Sequence, residues 1–145
     1  MRIVLAKRLG VWTVAATLAV VGALGTVTLR AAGENAPAPP GPLFTTKLPN
    51  VPGKSLTAVV VKYAPGGKSP KHAHAGSVFA YVLSGQIRSQ TSVGDPVKVY
   101  KTGETFFEPP GAIHLVSENA SDTEPASLLA VFIADDGAQL THLEK

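Results

Sequence analysis

The sequence predicts an all-β domain, an antiparallel sandwich or barrel, over residues 43–145. After Pro42, short apolar and β-branched runs follow one another along the chain. Clusters of turn residues, mostly Gly, Pro, Asn and Asp, separate these runs. No helical pattern continues beyond this proline. Short strands separated by regular turn signals are typical of antiparallel sheets closed into a sandwich or a barrel.

The apolar runs predict seven strands. In chain order they are Leu56–Tyr63, Val78–Leu83, Gln86–Val93, Val97–Lys101, Thr105–Glu108, Ile113–Ser117 and Ser127–Ala134. Gly85 and Gly103 lie between consecutive runs, where a tight turn needs the positive φ that glycine adopts without strain. We therefore expect turns at both glycines. Five aromatic side chains of the domain are expected in the core or in pocket walls; they are Phe79, Tyr81, Phe106, Phe107 and Phe132.

The N-terminal residues have the pattern of an export signal. Arg2, Lys7 and Arg8 precede an apolar run over residues 9–29, like the charged and hydrophobic regions of a secretory signal. The run is also just long enough to span a bilayer, which takes ~20 residues. Residues 1–32 are thus predicted to be a cleaved signal peptide or a membrane anchor, and the Pro-rich residues 33–42 a stiff linker. The domain is expected outside the inner membrane, periplasmic or extracellular, touching the membrane only through this segment.

Charge and cysteine usage exclude two classes of function. The formal charge of +3 belongs to residues 1–40, which hold four Lys/Arg and one Glu. Residues 41–145 hold nine Lys/Arg and nine Asp/Glu, so the domain has no net charge that would attract nucleic acid. The chain has no cysteine, which excludes disulfides and thiolate metal sites.

Three of the four histidines are spaced as metal ligands. His72 and His74 are two residues apart, so on a strand both imidazoles project from one face. On its own this pair is weak evidence for a metal site, and two surface histidines are the alternative. His114 follows the sharp turn Pro109-Pro110-Gly111 and brings a third imidazole from a distant part of the chain. His142 lies in a polar tail and is expected to be solvated.

These residues resemble the two motifs of the cupin superfamily. Gly66, His72, His74 and Gly85 match the first motif, and the second matches at Gly103, Pro109, Gly111 and His114. The motif asparagine comes one place late, at Asn119. The resemblance implies a jelly-roll (double-stranded β-helix) cupin barrel of the single-domain, monocupin type. It also implies a divalent metal ion on His72, His74 and His114, and a homodimer paired through a sheet face.

The first motif departs from the cupin pattern at one position. Its glutamate, usually a metal ligand, should fall at Val78 or Phe79, and neither side chain can bind a metal. The expected ligand set is therefore three neutral imidazoles. That set resembles the three-histidine cupins, which include iron(II) dioxygenases, although Mn, Ni, Cu and Zn also suit imidazole. An acidic residue often lies near the metal in that subset. Glu108 is the candidate for this catalytic role, with an outward-facing glutamate at a strand end as the alternative.

Three functions are compatible with these residues. The first is an exported iron(II)-type dioxygenase acting on a small anionic or enolisable molecule, which would supply the charge that the imidazoles lack. The second is a non-catalytic periplasmic cupin that binds a metal or a small ligand. The third is a degenerate barrel kept as a scaffold, and the intact histidines argue against it.

Overall fold

Ten strands build the part of the chain that the computed structural model describes, residues 41–94 and 96–145. They are β1 (Phe44–Lys47), β2 (Lys54–Tyr63), β3 (His72–His74), β4 (Ser77–Ser84), β5 (Gln86–Thr91), β6 (Lys98–Lys101), β7 (Thr105–Glu108), β8 (Ile113–Asn119), β9 (Ala126–Asp135) and β10 (Thr141–Leu143). The expected signal or anchor segment, and the linker up to residue 40, lie outside the described residues. No helix in the described ranges is long and apolar enough to cross a bilayer.

The strands form two five-stranded antiparallel sheets. The first sheet has the order β1-β2-β9-β4-β7 and the second the order β10-β3-β8-β5-β6. Strands that are consecutive in the chain often lie in different sheets, as in a jelly roll. The expected all-β jelly-roll barrel is confirmed.

The core lies between the two sheets and follows from the period-2 alternation of the strands. Along β9, every second side chain from Ala126 to Ala134 is buried. Val78, Val82 and Ile87 are the largest side chains with almost no exposure. Since successive residues of a strand point to opposite faces, the residues between them face outward.

All seven predicted strands are confirmed, whereas β3 was expected only as the strand that carries His72 and His74, and the edge strands β1 and β10 were missed. The seven predicted runs correspond to β2 and β4 to β9. Strands β1 and β10 were not predicted, because every residue in them is exposed and their sequences lack apolar alternation. Gly85 and Gly103 have φ of 68° and 89°, as a turn there requires.

The aromatic residues correct one expectation. Phe106 packs against the core and Phe132 is part of it. Phe79, Tyr81 and Phe107 are instead exposed, because they lie at the outward positions of β4 and β7. Apolar character alone did not indicate which face of the sheet they occupy.

Candidate metal centre

The second sheet brings the three predicted histidines together. His72 of β3 is the register partner of His114 of β8, and His74 lies one pleat further along β3. One candidate ligand atom from each of the three rings lies within 4.8 Å of those of the other two. His72 is 8 % and His114 3 % exposed, so this cluster lies in the barrel interior rather than on its surface.

Backbone carbonyls orient the two histidines of β3. The Nδ1 of His72 lies 2.7 Å from the carbonyl oxygen of Pro70. The Nδ1 of His74 lies 3.0 Å from the carbonyl oxygen of Leu140. A ring that donates its Nδ1–H to a carbonyl keeps the Nε2 lone pair for a metal, the usual way in which such partners fix a ligand histidine.

Ser89 contacts the third histidine, His114, at the other ring nitrogen, Nε2. Its hydroxyl lies 2.8 Å from Nε2 of His114, and the serine is buried on β5. When Nε2–H donates to this hydroxyl, His114 presents Nδ1 to the other rings. Sequence reasoning missed Ser89, which belongs to neither motif; only its inward phase on a predicted strand could have indicated it.

Burial keeps the two histidines of β3 neutral. Desolvation lowers the pKa of His72 and of His74 below the usual 6.5, and it outweighs the opposing effects of the carbonyls of Pro70 and Leu140 and of the Glu108 carboxylate. A neutral imidazole has a free lone pair, which is the form that binds a metal ion. Both rings are therefore in the ligand form at neutral pH.

Glu108 faces into the barrel, not out from the strand end. It is 4 % exposed and is the register partner of Val78 in the β4–β7 pair. Its Oε2 lies 3.0 Å from Nδ1 of His114 and 3.6 Å from Nε2 of His74. The sequence could not fix this direction, because the strand meets a Pro-Pro turn at the next residue.

A metal ion fits these residues. Among the described residues, neither Oε2 of Glu108 nor Nδ1 of His114 has a hydrogen-bond partner, although both atoms are buried. A buried carboxylate and a buried imidazole nitrogen left without partners are costly. A cation placed among the rings would satisfy both atoms at once. We call His72, His74, His114 and Glu108 the His/Glu cluster.

The fourth histidine and the residues at the asparagine position of the second motif lie outside the His/Glu cluster. His142 is exposed on β10, opposite Ala73. Asn119 is buried, and its side-chain amide donates to the carbonyls of Ala64 and Glu124. Asn119 therefore connects the loop after β2 to the loop before β9. Glu118, which stands in the motif position, pairs with Arg88 on the neighbouring strand.

A cavity of about 250 Å³ lies at one end of the first sheet. None of the four cluster residues lines it; the residues that do are Pro42, Thr45, Ser55, Thr57, Ala134, Asp135, Gly137, Ala138 and Leu140. Leu140 connects the two places, since its carbonyl oxygen holds His74. The imidazoles and the carboxylate that can bind a metal ion belong to the His/Glu cluster, so the cavity is not the candidate site.

The cupin domain family matches residues 59–132, a range that includes all four residues of the His/Glu cluster. The chain belongs to the cupin family. The matched range covers both predicted motifs and the core strands of the barrel. Membership of this family is compatible with the three-histidine cluster and with a divalent metal ion, and leaves the reaction open.

Curated relatives are plant proteins. The chain is 33 % identical over 90 residues to germin-like protein subfamily 2 member 2 of Arabidopsis thaliana, covering 59 % of this chain and 40 % of that protein. It is 31 % identical to the rhicadhesin receptor of Pisum sativum, with 59 % and 41 % covered. The chain therefore spans about 40 % of the length of these relatives.

Solved structures share the fold. A double-stranded β-helix protein of Klebsiella pneumoniae superposes with a TM-score of 0.56 at 23 % identity, covering 80 % of this chain and 89 % of that one. Oxalate decarboxylase of Bacillus subtilis, described for its Mn(II) centres, superposes with a TM-score of 0.53 at 25 % identity. This match covers 61 % of the present chain and 23 % of the decarboxylase.

Proposed function

We propose that this cupin is an exported, metal-dependent oxidoreductase, a dioxygenase of iron(II) type acting on a small anionic or enolisable organic molecule. The observation that carries the proposal is the buried His/Glu cluster, with three imidazoles and a carboxylate inside the barrel. A divalent ion held there would polarise a bound oxygen atom of the substrate as a Lewis acid. Iron(II) is proposed first, and manganese is the main competitor, because the similar oxalate decarboxylase has Mn(II) centres.

The protein's own residues support this chemistry in two ways. His72, His74 and His114 would hold the ion, each ring being oriented by a hydrogen bond on its other nitrogen. Phe132 packs edge-on against His74, and Phe106 lies near His114. These apolar rings limit water around the cluster, and electrostatic interactions are stronger where water is excluded.

The substrate class follows from charge. A dication beside a single carboxylate keeps a net positive charge, which favours an anionic or enolisable ligand. A carboxylate or an enolate offers such an oxygen, and a bidentate one can occupy two positions on the ion. The proposed substrate is therefore a small carboxylate or β-dicarbonyl compound.

A non-catalytic cupin that binds a metal or a small ligand in the periplasm is the second candidate. Its support is that the relatives include a protein named as a receptor. Oxygen uptake separates the two functions. The full chain, purified without a histidine tag and loaded with Fe(II), is assayed with a panel of small carboxylates and β-diketones, with His114→Ala as the metal-site variant and His142→Ala as the matched control.

Oxygen consumption that depends on one substrate class and is lost in His114→Ala alone supports the dioxygenase. A metal-loaded protein that consumes no oxygen with any member of the panel favours the binding function.

Export is proposed from the sequence of residues 1–32. The charged residues before the apolar run favour a cytoplasmic N-terminus and a translocated domain. Cell fractionation should find the domain outside the inner membrane, either free or released by detergent. Recovery of the full-length chain as a soluble cytoplasmic protein would rule export out.

A homodimer is proposed to form through the outer face of the first sheet. Apolar side chains cover the middle of this face across all five strands, and Lys54, Lys62 and Asp135 lie at its ends; the apolar residues are Phe44, Leu56, Ala58, Val60, Phe79, Tyr81, Phe107, Leu129, Val131 and Ile133. The apolar part of the face is roughly 24 Å wide across the strands and about 17 Å long, so its area is about 400 Å², half of what one partner buries in a standard interface.

A second copy of this chain fits the face better than a charged partner. The apolar middle of the face is complementary to itself across a twofold axis, whereas a charged partner placed on it would leave its own charges unpaired. Patches of this size that stay exposed promote association.

A further inference from the structure

Val78 stands where the first cupin motif has its metal-binding glutamate, and the strand next to it supplies a carboxylate. Val78 is 1 % exposed and points inward, whereas Phe79 points outward. The register partner of Val78 is Glu108. Directly opposed residues of an antiparallel pair have Cβ atoms about 4.5–5.5 Å apart on the same face. The side chains of Val78 and Glu108 therefore face the same part of the barrel interior.

The distances around Glu108 are those of neighbouring ligands on one ion. Two donor atoms bound at ~2.1 Å lie about 3.0 Å apart when the angle between them is near 90°, and about 3.4 Å apart near the tetrahedral angle. Oε2 of Glu108 lies 3.0 Å from Nδ1 of His114 and 3.6 Å from Nε2 of His74. The carboxylate oxygen therefore has ligand spacing to both rings.

Hydrogen bonding gives no competing explanation for the close approach. Oε2 and Nδ1 lie 3.0 Å apart, yet within the described ranges neither atom has a hydrogen-bond partner, each other included. Two adjacent ligands of one ion would have this geometry, because each lone pair would then point at the ion rather than at the neighbouring ligand.

We propose that Glu108 is the fourth protein ligand of the metal ion, through Oε2, and that it replaces from β7 the carboxylate that the first motif lacks at Val78. The ion then has three imidazoles and one carboxylate, with the anionic ligand delivered by the neighbouring strand. The inference rests on the proposed metal centre. It makes Glu108 a ligand of the ion, in place of a carboxylate that lies near the ion without binding it.

The test moves the carboxylate between the two paired positions and measures Mn(II) binding by the full chain. Free Mn(II) is quantified by its electron paramagnetic resonance signal during titration, which needs no substrate and no turnover. Glu108→Gln keeps the size of the side chain and should weaken Mn(II) binding by more than the ~10–100-fold that is lost when a residue only contacts a metal ligand.

The double variant Val78→Glu/Glu108→Gln should recover affinity to within about tenfold of the natural protein, since the carboxylate returns from the opposite strand. Val78→Gln/Glu108→Gln is the matched control and should recover nothing. Val78→Glu alone should not tighten binding, because the ligand position is already taken and the second carboxylate is buried beside the first.

Infrared difference spectra of the natural protein keep the test independent of how the double variants fold. Adding Mn(II) should shift a carboxylate stretching band, and Glu108→Gln should remove that shift. Mn(II) affinity unchanged in Glu108→Gln, or tightened by Val78→Glu alone, would overturn the proposal. If Glu108→Gln still binds Mn(II) but no longer consumes oxygen, the ligand assignment fails and the proposed dioxygenase function stands. If Glu108→Gln loses Mn(II) binding and the natural protein never consumes oxygen, the ligand assignment stands and the dioxygenase function fails.

Discussion

At the residue scale, the candidate metal centre depends on which nitrogen of each ring is free. Pro70 and Leu140 accept from Nδ1 of the β3 histidines, whereas Ser89 contacts Nε2 of His114. The two kinds of partner turn three rings from two strands toward one point. Hydrogen bonds of this kind orient ligands and raise their basicity.

Ser89→Ala tests the least conspicuous of these partners. Without the hydroxyl, nothing fixes Nε2 of His114 as the donor, and the ring loses both its tautomer and its orientation. We expect metal affinity to fall by about 10–100-fold, measured by titration of the metal-free protein. Ser84→Ala is the control, because Ser84 bonds only to Ser127 on an exposed part of the first sheet. Equal affinities in both variants would show that Ser89 has no positioning role.

The three histidines could be predicted from the sequence, the role of Glu108 only in part, and Ser89 not at all. A two-residue spacing on a strand places two side chains on one face whatever the rest of the fold does, and the Pro-Pro-Gly turn marked His114. The direction of Glu108 depends on strand phase beside a proline pair, which spacing does not fix. Ser89 needs the register of β5 against β8, a long-range contact that no local pattern encodes.

At the element scale, the short strand β3 is held on both sides. It pairs with β8 and with β10, and Gly76 joins it to β4. A Cβ at Gly76 would lie 2.1 Å from the carbonyl oxygen of Ile133 and 2.9 Å from Cα of Ala134. The close packing of this connection against β9 therefore requires glycine.

Gly76→Ala should push the β3–β4 connection away from β9. We expect the free energy of unfolding to fall by about 1–3 kcal/mol, as for other overpacked sites, and metal affinity to fall with it because His74 moves. Urea denaturation measures the first quantity. Gly41→Ala is the control, since no atom lies within 4 Å of a Cβ there; a loss of stability equal to that of the control would contradict the close packing.

Strand positions were predictable where one face is buried. Strands β2, β4, β8 and β9 bury one face against the core, but the runs of β2, β4 and β9 are apolar on both faces. The turn residues between the runs, and not alternation, therefore located these strands. Strands β1 and β10 have no buried residue, so only their hydrogen bonds to β2 and β3 define them. The pairing order of the two sheets depends on contacts between distant strands, and it came from the cupin resemblance rather than from periodicity.

At the scale of the whole molecule, the two sheets differ in what they present. The second sheet carries the histidines on its inner face, and the first has the apolar outer face proposed as the dimer interface. Phe107 is 58 % and Phe79 45 % exposed, and the two residues are register partners. They lie on the edge strand β7 and its neighbour β4, at one side of the face, and large exposed aromatic side chains are typical interface anchors.

Phe79→Lys should prevent the proposed dimer from forming, because a twofold interface would bring two lysines into an apolar surface. Light scattering after size-exclusion chromatography should give the mass of a dimer for the natural chain and of a monomer for the variant. Lys98→Glu on β6 of the other sheet is the control and should stay dimeric. A natural chain that is monomeric at all concentrations would refute the interface.

Metal stoichiometry tests the central claim, a divalent ion held by His72, His74 and His114, most directly. The full chain is purified without a histidine tag, and its metal content is measured by elemental analysis beside His114→Ala and His142→Ala. We expect about one first-row ion per chain in the natural protein and in His142→Ala, and less than about a tenth of that in His114→Ala, since the ion loses a ligand. Full occupancy in His114→Ala, or a natural protein that takes up none of Fe, Mn, Ni, Cu or Zn, would contradict the metal centre.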